Sequence, residues 1–291
     1  MTAKLINVLA AITLIEMMIA LGLGLTFSTV VNSLRTARLI WRALFANYVI
    51  VPCLAVALLL AFDAPPMVAA GLLIVAVCAG APYGPPLTSL AHGNIPSSVS
   101  LMLVLAGSSA IAAPLLLGIL LPAITGNTTL RVNVPKLVST LIGTQLLPLC
   151  IGIMVRSRLP NVAAKLRSPA RIVSLLLNLL TLIVVLAVYF PTLSNIRSRG
   201  YLGMFCLLLG CIAAGALMTG KAREDLKAMV ISTAVRNAGV SLVIATASFP
   251  GTAAVTSATA YALFQTVLMA GVALTWGHLS PAAHLVGKSA A

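Results

Sequence analysis

The chain is 291 residues long; 60% of them are apolar, only 8% are charged, and the mean hydropathy is +1.12. A soluble domain carries about 25% charged residues, so these side chains cannot cover a water-facing surface, and a soluble enzyme or binding module is excluded. The net charge of +14 does not indicate nucleic acid either, because the bases lie in short clusters between apolar stretches, as in loops that face anionic lipid.

Apolar windows of about 20 residues, the length that crosses a hydrocarbon core roughly 30 Å thick, predict nine spans. They lie near residues 5–27, 41–62, 67–90, 96–121, 135–155, 171–190, 201–219, 226–249 and 252–277. The first has Lys4 ahead of Leu5 to Leu14, in the manner of a signal peptide. Glu16 interrupts that run and no small-residue cleavage pattern follows, so the segment is read as a retained span. Short breaks rich in Pro, Gly, Asn and charge separate the spans, such as Asp63-Ala-Pro-Pro66 and Pro191 to Gly200.

The third span carries Ala81-Pro82-Tyr83-Gly84-Pro85-Pro86 at mid-membrane depth. Proline removes a backbone donor and clashes with the preceding turn, so the helix must break or kink there. The eighth span carries Arg236-Asn237-Ala238-Gly239 at a matching depth. Free backbone groups in the hydrocarbon region survive only where protein or a water-filled cavity surrounds them. Interrupted helices at corresponding places in two halves point to the central site of a transporter. Proline kinks that serve packing alone are the bland alternative.

Alternate loops differ in their content of Lys and Arg. One side collects Arg35, Arg38, Arg42, Arg156, Arg158, Lys165, Arg167, Arg171, Lys221, Arg223, Lys227 and Lys288; the other holds Lys4, Arg131, Lys136, Arg197 and Arg199. The richer side is expected to be cytoplasmic. The N-terminus is then outside and the C-terminus inside a bacterial-type inner (plasma) membrane. Trp41 and Trp276 fall at the cytoplasmic interface, Tyr189 and Tyr201 at the outer one. The five cysteines, Cys53, Cys78, Cys150, Cys206 and Cys211, lie inside apolar stretches without metal-ligand spacing and are expected as buried thiols. His92, His278 and His284 fall in turns and the tail. Gly203, Gly210, Gly215 and Gly220 are expected to allow close helix packing.

At the two breaks the sequence resembles the bile acid:sodium symporter family. The resemblance runs from Gly22-Leu23-Gly24-Leu25-Thr26 through Cys78-Ala79-Gly80, Leu90-Ala91-His92-Gly93-Asn94 and Asn237-Ala238-Gly239 to Ala262-Leu263-Phe264. It implies an all-α inverted-repeat fold in which a panel domain packs against a core domain and two discontinuous helices cross in the core. Bacterial members often have ten spans, and this chain is expected to lack the first. By that analogy residues 1–40 and 135–195 form the panel, residues 41–121 and 200–277 form the two core repeats, and an anionic substrate binds in the cleft between them.

The departures from the family pattern matter too. In sodium-coupled members a Ser-Asn pair follows the first break, where this chain has Gly84-Pro85. A glutamate central to both sodium sites aligns with Ser232, a glutamine with Arg236 and a threonine ligand with Met102. Only Ser98 and Asn47 remain of that oxygen set, and a guanidinium among those positions would repel a cation. The expectation is an inherited fold without inherited sodium sites.

Two ionisable side chains lie at depth, Glu16 and Arg236. A charge at the bilayer centre costs at least about 2.5–3.5 kcal/mol, so such residues face a cavity or one another. Three roles are open to Arg236: occupying a cation's place, pinning the crossing helices, or holding a substrate carboxylate. A buried structural ion pair is the bland alternative. In the functional reading Glu16 and Arg236 face the cleft from opposite sides and pair without substrate, and an entering carboxylate competes for Arg236 and leaves Glu16 to take up a proton. The expected function is secondary transport of a small organic anion, a carboxylate or bile-acid-like molecule, without sodium and with protons as the coupling ion. Substrate contacts are assigned to Arg236, Asn237, Pro82, Tyr83, Gly84 and Asn47, and coupling or gating to Glu16, Arg236, Ser98 and Ser232. No metal or cofactor site is expected, and the partners are the substrate and the lipid bilayer. The alternatives are a sodium-coupled symporter with rebuilt ion sites and a non-transporting membrane sensor. An intramembrane enzyme is set aside, because the four acids form no Asp-rich motif and neither HExxH nor Gly-x-Ser-x-Gly occurs.

Overall fold

The structure, a computed structural model, describes residues 2–26, 28, 37–125, 130–193, 196, 198–220 and 223–279. Arg35, Arg197, Lys221, His284 and Lys288 lie outside these residues. No strand occurs among them; with no water to bond, a spanning backbone must satisfy its N–H and C=O groups internally, and here it does so within helices. The helices are α1 (Thr2–Gly22), α2 (Ala37–Ala61), α3 (Pro66–Val77), α4 (Gly84–Leu90), α5 (Ile95–Thr125) and α6 (Val134–Arg158). After these come α7 (Pro160–Leu193), α8 (Ser198–Thr219), α9 (Leu226–Ala234), α10 (Ala238–Ser248) and α11 (Ala253–Leu279).

The nine expected spans are recognisable. Eight stretches are long and apolar enough to cross a membrane, one of them being α9 and α10 taken together, and α3 is a shorter apolar helix. The third span is the pair α3 and α4, broken over residues 78–83; the eighth is α9 and α10, broken over residues 235–237. The expected sixth span begins later than the helix does. α7 starts at Pro160, and only Leu159 separates it from α6. Proline at a first helical position gives up a donor that would be unsatisfied anyway. The basic stretch with Lys165, Arg167 and Arg171 is therefore an exposed helical extension rather than a loop.

α1, α6 and α7 pack on one another. α1 and α6 cross at two facing glycines: a Cβ on Gly22 would lie 2.8 Å from Gly152 Cα, and one on Gly152 would lie 2.5 Å from Ile19 O. Without side chains the backbones approach closely, the usual basis of helix association where lipid removes the hydrophobic drive. α3 packs on α5 and α11, and α8 packs on α9. α1 also touches α10, and α7 touches α11; these contacts join the three-helix group to the remainder.

α2 and α6 each contain one π-helical turn, over Ala46–Ile50 and Ile142–Leu146. Such turns are single insertions that frequently mark functional positions. Each carries one buried amide side chain, Asn47 and Gln145. Gln145 Nε2 donates to Ala106 O at 2.5 Å and Ser109 Oγ at 3.2 Å on α5. Leucines 175, 176, 179 and 180 of α7 face outward, an apolar surface suited to lipid rather than water. The cysteine expectation holds only in part. Cys78 and Cys211 are buried, while Cys53 and Cys150 point outward from helices whose outer faces are apolar.

Candidate functional site

The two interrupted helices meet at their breaks. Asn237 N donates to Cys78 O at 2.9 Å, and Asn237 Nδ2 donates to Gly80 O at 3.2 Å. Gly80 has φ +81, and a Cβ there would lie 2.1 Å from Ala106 N. Only glycine serves at that point, because the left-handed backbone and the close approach of α5 both exclude a side chain. Asn237 also caps α10, its Oδ1 accepting from Val240 N at 3.2 Å, which satisfies one of the orphan donors of a helix start.

Arg236 is 1% exposed. Its guanidinium donates to Asn47 Oδ1 at 2.5 Å, Thr233 O at 2.9 Å, Ala76 O at 2.6 Å and Val75 O at 3.5 Å. Val75 and Ala76 end α3, and Thr233 lies in the last turn of α9. Helix C-termini carry unsatisfied carbonyls and about half a negative charge each. One guanidinium therefore neutralises two converging helix ends. The Arg236 backbone is held as well: its N donates to Gln265 Oε1 at 3.0 Å and its O accepts from Gln265 Nε2 at 2.9 Å. This extended stretch is satisfied by a side-chain amide where a helix would have used its own turn.

A cavity of about 190 Å³ lies beside the crossing, between α1 and α7 on one side and α10 and α11 on the other. Thr13, Met17, Asn178, Thr181, Thr259 and Thr266 line it together with Tyr83 and the start of α10, Ala238 and Gly239. No charged side chain reaches it among the described residues. Its polarity is directional. Thr259 donates to Val255 O at 2.8 Å and Thr266 to Ala262 O at 2.7 Å, so these hydroxyls turn lone pairs outward, whereas Thr181 donates to Leu177 O at 2.8 Å and accepts from Thr13 Oγ1 at 2.7 Å. Tyr83 accepts from Asn178 Nδ2 and keeps its own proton to donate. The amides of Ala238 and Gly239, at the positive end of α10, have no acceptor within their helix. Anions bind favourably at such a helix start.

Of the residues singled out from sequence, Tyr83 lines this cavity, and Asn237 and Gly84 lie buried beside it. Pro82 is half-buried in the turn before Tyr83. Asn47 and Arg236 are joined to each other, outside the cavity wall. Ser98 and Ser232 come together over Gly84, where an added Cβ would lie 3.8 Å from Ser98 Oγ and 3.9 Å from Ser232 Oγ. Thr88 Oγ1 donates to Ser98 Oγ at 2.9 Å, whereas Ser232 Oγ is buried without a hydrogen-bond partner. Glu16 and Arg236 are not brought together. Glu16 is half-buried on α1 with Ser174 of α7 as its polar neighbour, and its Oε2 has no hydrogen-bond partner. The physical reason is that the ends of α3 and α9 already supply all the negative charge that Arg236 needs.

Asn178, Thr13, Thr181, Thr259 and Thr266 were missed by sequence reasoning. Their spacing was a usable signal. Asn178 and Thr181 stand three apart, and Thr259 and Thr266 stand seven apart, so each pair shares one helix face on otherwise apolar spans.

A family model for the Sodium Bile acid symporter family matches residues 11–196, well over half of the chain. Among curated proteins none matches it.

Proposed function

The chain belongs to the sodium bile acid symporter family, and from that premise we propose that it is a secondary transporter of a small organic anion that works without sodium. In this reading α1, α6 and α7 form the panel, the other helices form the core, and the cavity between them takes the substrate. The observation that carries it is the guanidinium of Arg236 in its all-oxygen cage of Asn47, Val75, Ala76 and Thr233. A covalently tethered cation already neutralises the converging helix ends, and a mobile cation placed beside it would be repelled.

The anionic group of the substrate sits at the start of α10, taking the free amides of Ala238 and Gly239 and the proton of Tyr83. The outward lone pairs of Thr259 and Thr266 suit a substrate whose body carries hydroxyl or other donors. With no charged side chain at the wall, affinity rests on helix-end polarity and exclusion of water, which strengthens each contact. The cytoplasmic C-terminus and outer N-terminus follow from the bias of basic residues. Protons are the coupling ion, with Glu16 as the group that takes them up.

Uptake of radiolabelled organic acids into proteoliposomes tests this. It should be unchanged when choline replaces sodium at fixed pH and potential. A steep, saturable sodium dependence overturns it.

One observation favours a second reading, a sodium-coupled symporter with a rebuilt ion site. The hydroxyls of Thr88, Ser98 and Ser232 converge over Gly84, and Ser232 Oγ is unpartnered there. A hard cation takes six or more oxygen ligands when calcium-like and prefers a carboxylate among them, and this cluster offers three hydroxyls.

A further inference from the structure

A second and larger cavity, about 610 Å³, lies among α2, α3, α8 and α11, at the end of the bundle that carries the turn from Phe62 to Pro65. It shares no residue with the first cavity. Leu58, Leu72, Met204 and Leu207 make its walls, and Asp63 and Arg199 stand at its rim. The volume falls in the range of about 300–1,000 Å³ usual for ligand sites.

The room inside it has a sequence cause. Along α8, a Cβ on Gly210 would meet Leu54 Cδ2 at 2.0 Å and one on Gly215 would meet Val230 Cα at 2.7 Å. Gly215 is required by packing against backbone, and at Gly210 the Leu54 side chain would have to turn aside. A Cβ on Gly203 meets only the Phe62 ring, at 3.9 Å or more. Gly203 leaves room that no neighbour fills. The rim charges are also unused: both are exposed, and no ion pair among the described residues engages Asp63 or Arg199. Around the cavity the outer faces of α2 and α8 are apolar, with Leu60 and Leu209 exposed. The opening therefore lies where helices end at a membrane interface, between lipid and water.

We propose that this cavity is a structural binding site for a zwitterionic phospholipid with an ethanolamine headgroup. One acyl chain fills the apolar interior. The phosphate lies on the Arg199 guanidinium, a match for its planar donors. The primary ammonium donates to the Asp63 carboxylate. The rim presents one charge of each sign, so a lipid carrying only negative charge gains from Arg199 but is opposed by Asp63.

The test is lipid retention on the purified full-length chain, read by native mass spectrometry and by the thermal shift each lipid produces. Phosphatidylethanolamine should bind about tenfold more tightly than phosphatidylglycerol of the same acyl chains, a factor within reach of one charge-assisted hydrogen bond. Asp63→Asn should erase that preference without lowering phosphatidylglycerol binding. Gly203→Leu should remove both lipids, and because leucine is the better helix former the variant should still fold. If it does not fold, Asp63→Asn decides the question alone. Equal or tighter binding of phosphatidylglycerol to the unaltered chain overturns the proposal. So does an ethanolamine preference that survives Asp63→Asn.

Discussion

Arg236 reaches across from the break in the eighth span to donate to Asn47 Oδ1 at 2.5 Å, and Asn47 Nδ2 donates back to Ala43 O at 2.9 Å within its own helix. Asn47 can present its oxygen because the π-helical turn of α2 begins beside it, at Ala46. The contact fixes the second helix of the chain against the crossing of the two broken ones. A buried charge thus has no acid for a partner; polar oxygens of three separate segments replace it.

Removing that charge should unsettle the crossing. Arg236→Met orphans the end carbonyls of α3 and α9 and Asn47 Oδ1, and each buried orphan costs about 1–3 kcal/mol. Arg236→Lys retains the charge but has one nitrogen in place of a planar fork, so it should fall between the native protein and the Met variant. Thermal melting in detergent orders the three. Melting of the Met variant at the native temperature would remove Arg236 as the keystone.

The hydrogen bond from Asn178 of α7 to the hydroxyl of Tyr83 joins the three-helix group to the first break, directly at the cavity. It should hold one conformation of the carrier. Asn178→Ala and Tyr83→Phe, alone and combined, form a double-mutant cycle on melting temperature. A coupling of about 0.5–1.5 kcal/mol is expected for one hydrogen bond. Strictly additive effects would mean that the two side chains do not hold the groups together. In transport assays the same pair should shift the balance of inward and outward rates, since the bond must break for the groups to move.

Much of this fold was legible in the sequence, and the reason is physical. Three prolines within five residues at Pro82, Pro85 and Pro86 cannot continue a helix, and Arg236-Asn237 is too polar for the middle of one. Both breaks were found from those facts. The cage around Arg236 was not, because Val75, Ala76 and Thr233 contribute backbone carbonyls, which any residue has. Looking for a side-chain partner led to Glu16, one of only four acids. The π-helical turns at Asn47 and Gln145 were not found either, although each turn ends two residues before a proline, Pro52 or Pro148, whose missing N–H leaves a gap in the helix ladder. Asn178 and Thr181 were legible in principle, but a polar face on a single helix reads equally well as packing until α1 is placed against it.

Gly239 separates binding from folding. Its Cβ would meet Leu14 Cδ1 at 3.4 Å and Met17 Cε at 3.5 Å, flexible side-chain ends that can give way. A larger side chain grows into the cavity, because Gly239 is part of its wall. Gly239→Leu should therefore weaken substrate binding by at least about tenfold, the loss that a 1.4 kcal/mol obstruction produces. Its stability should remain near native, because leucine favours the helix by close to 1 kcal/mol over glycine. A variant that folds and binds the transported anion normally would move the site away from the start of α10.

Glu16 supplies the last prediction. Its carboxyl lies on α1, the helix that also gives Thr13 and Met17 to the cavity wall. One of its oxygens has no hydrogen-bond partner. A carboxylate with an unsatisfied buried oxygen is relieved by a proton, which turns that oxygen into a donor or removes its charge. Movement of α1 and its neighbours against the core would change how much water reaches this group. Its proton affinity would then alternate with the state of the carrier, which is what coupling to a pH gradient requires. Glu16→Gln fixes the neutral form. It should bind the anion as the native protein does, because Arg236 and the cavity wall are untouched, yet fail to accumulate it when only a pH gradient is imposed. Binding is read by thermal shift and accumulation by uptake into proteoliposomes with an acidic exterior. If Glu16→Gln accumulates substrate with native pH dependence, the carboxyl is structural and the coupling proton resides elsewhere.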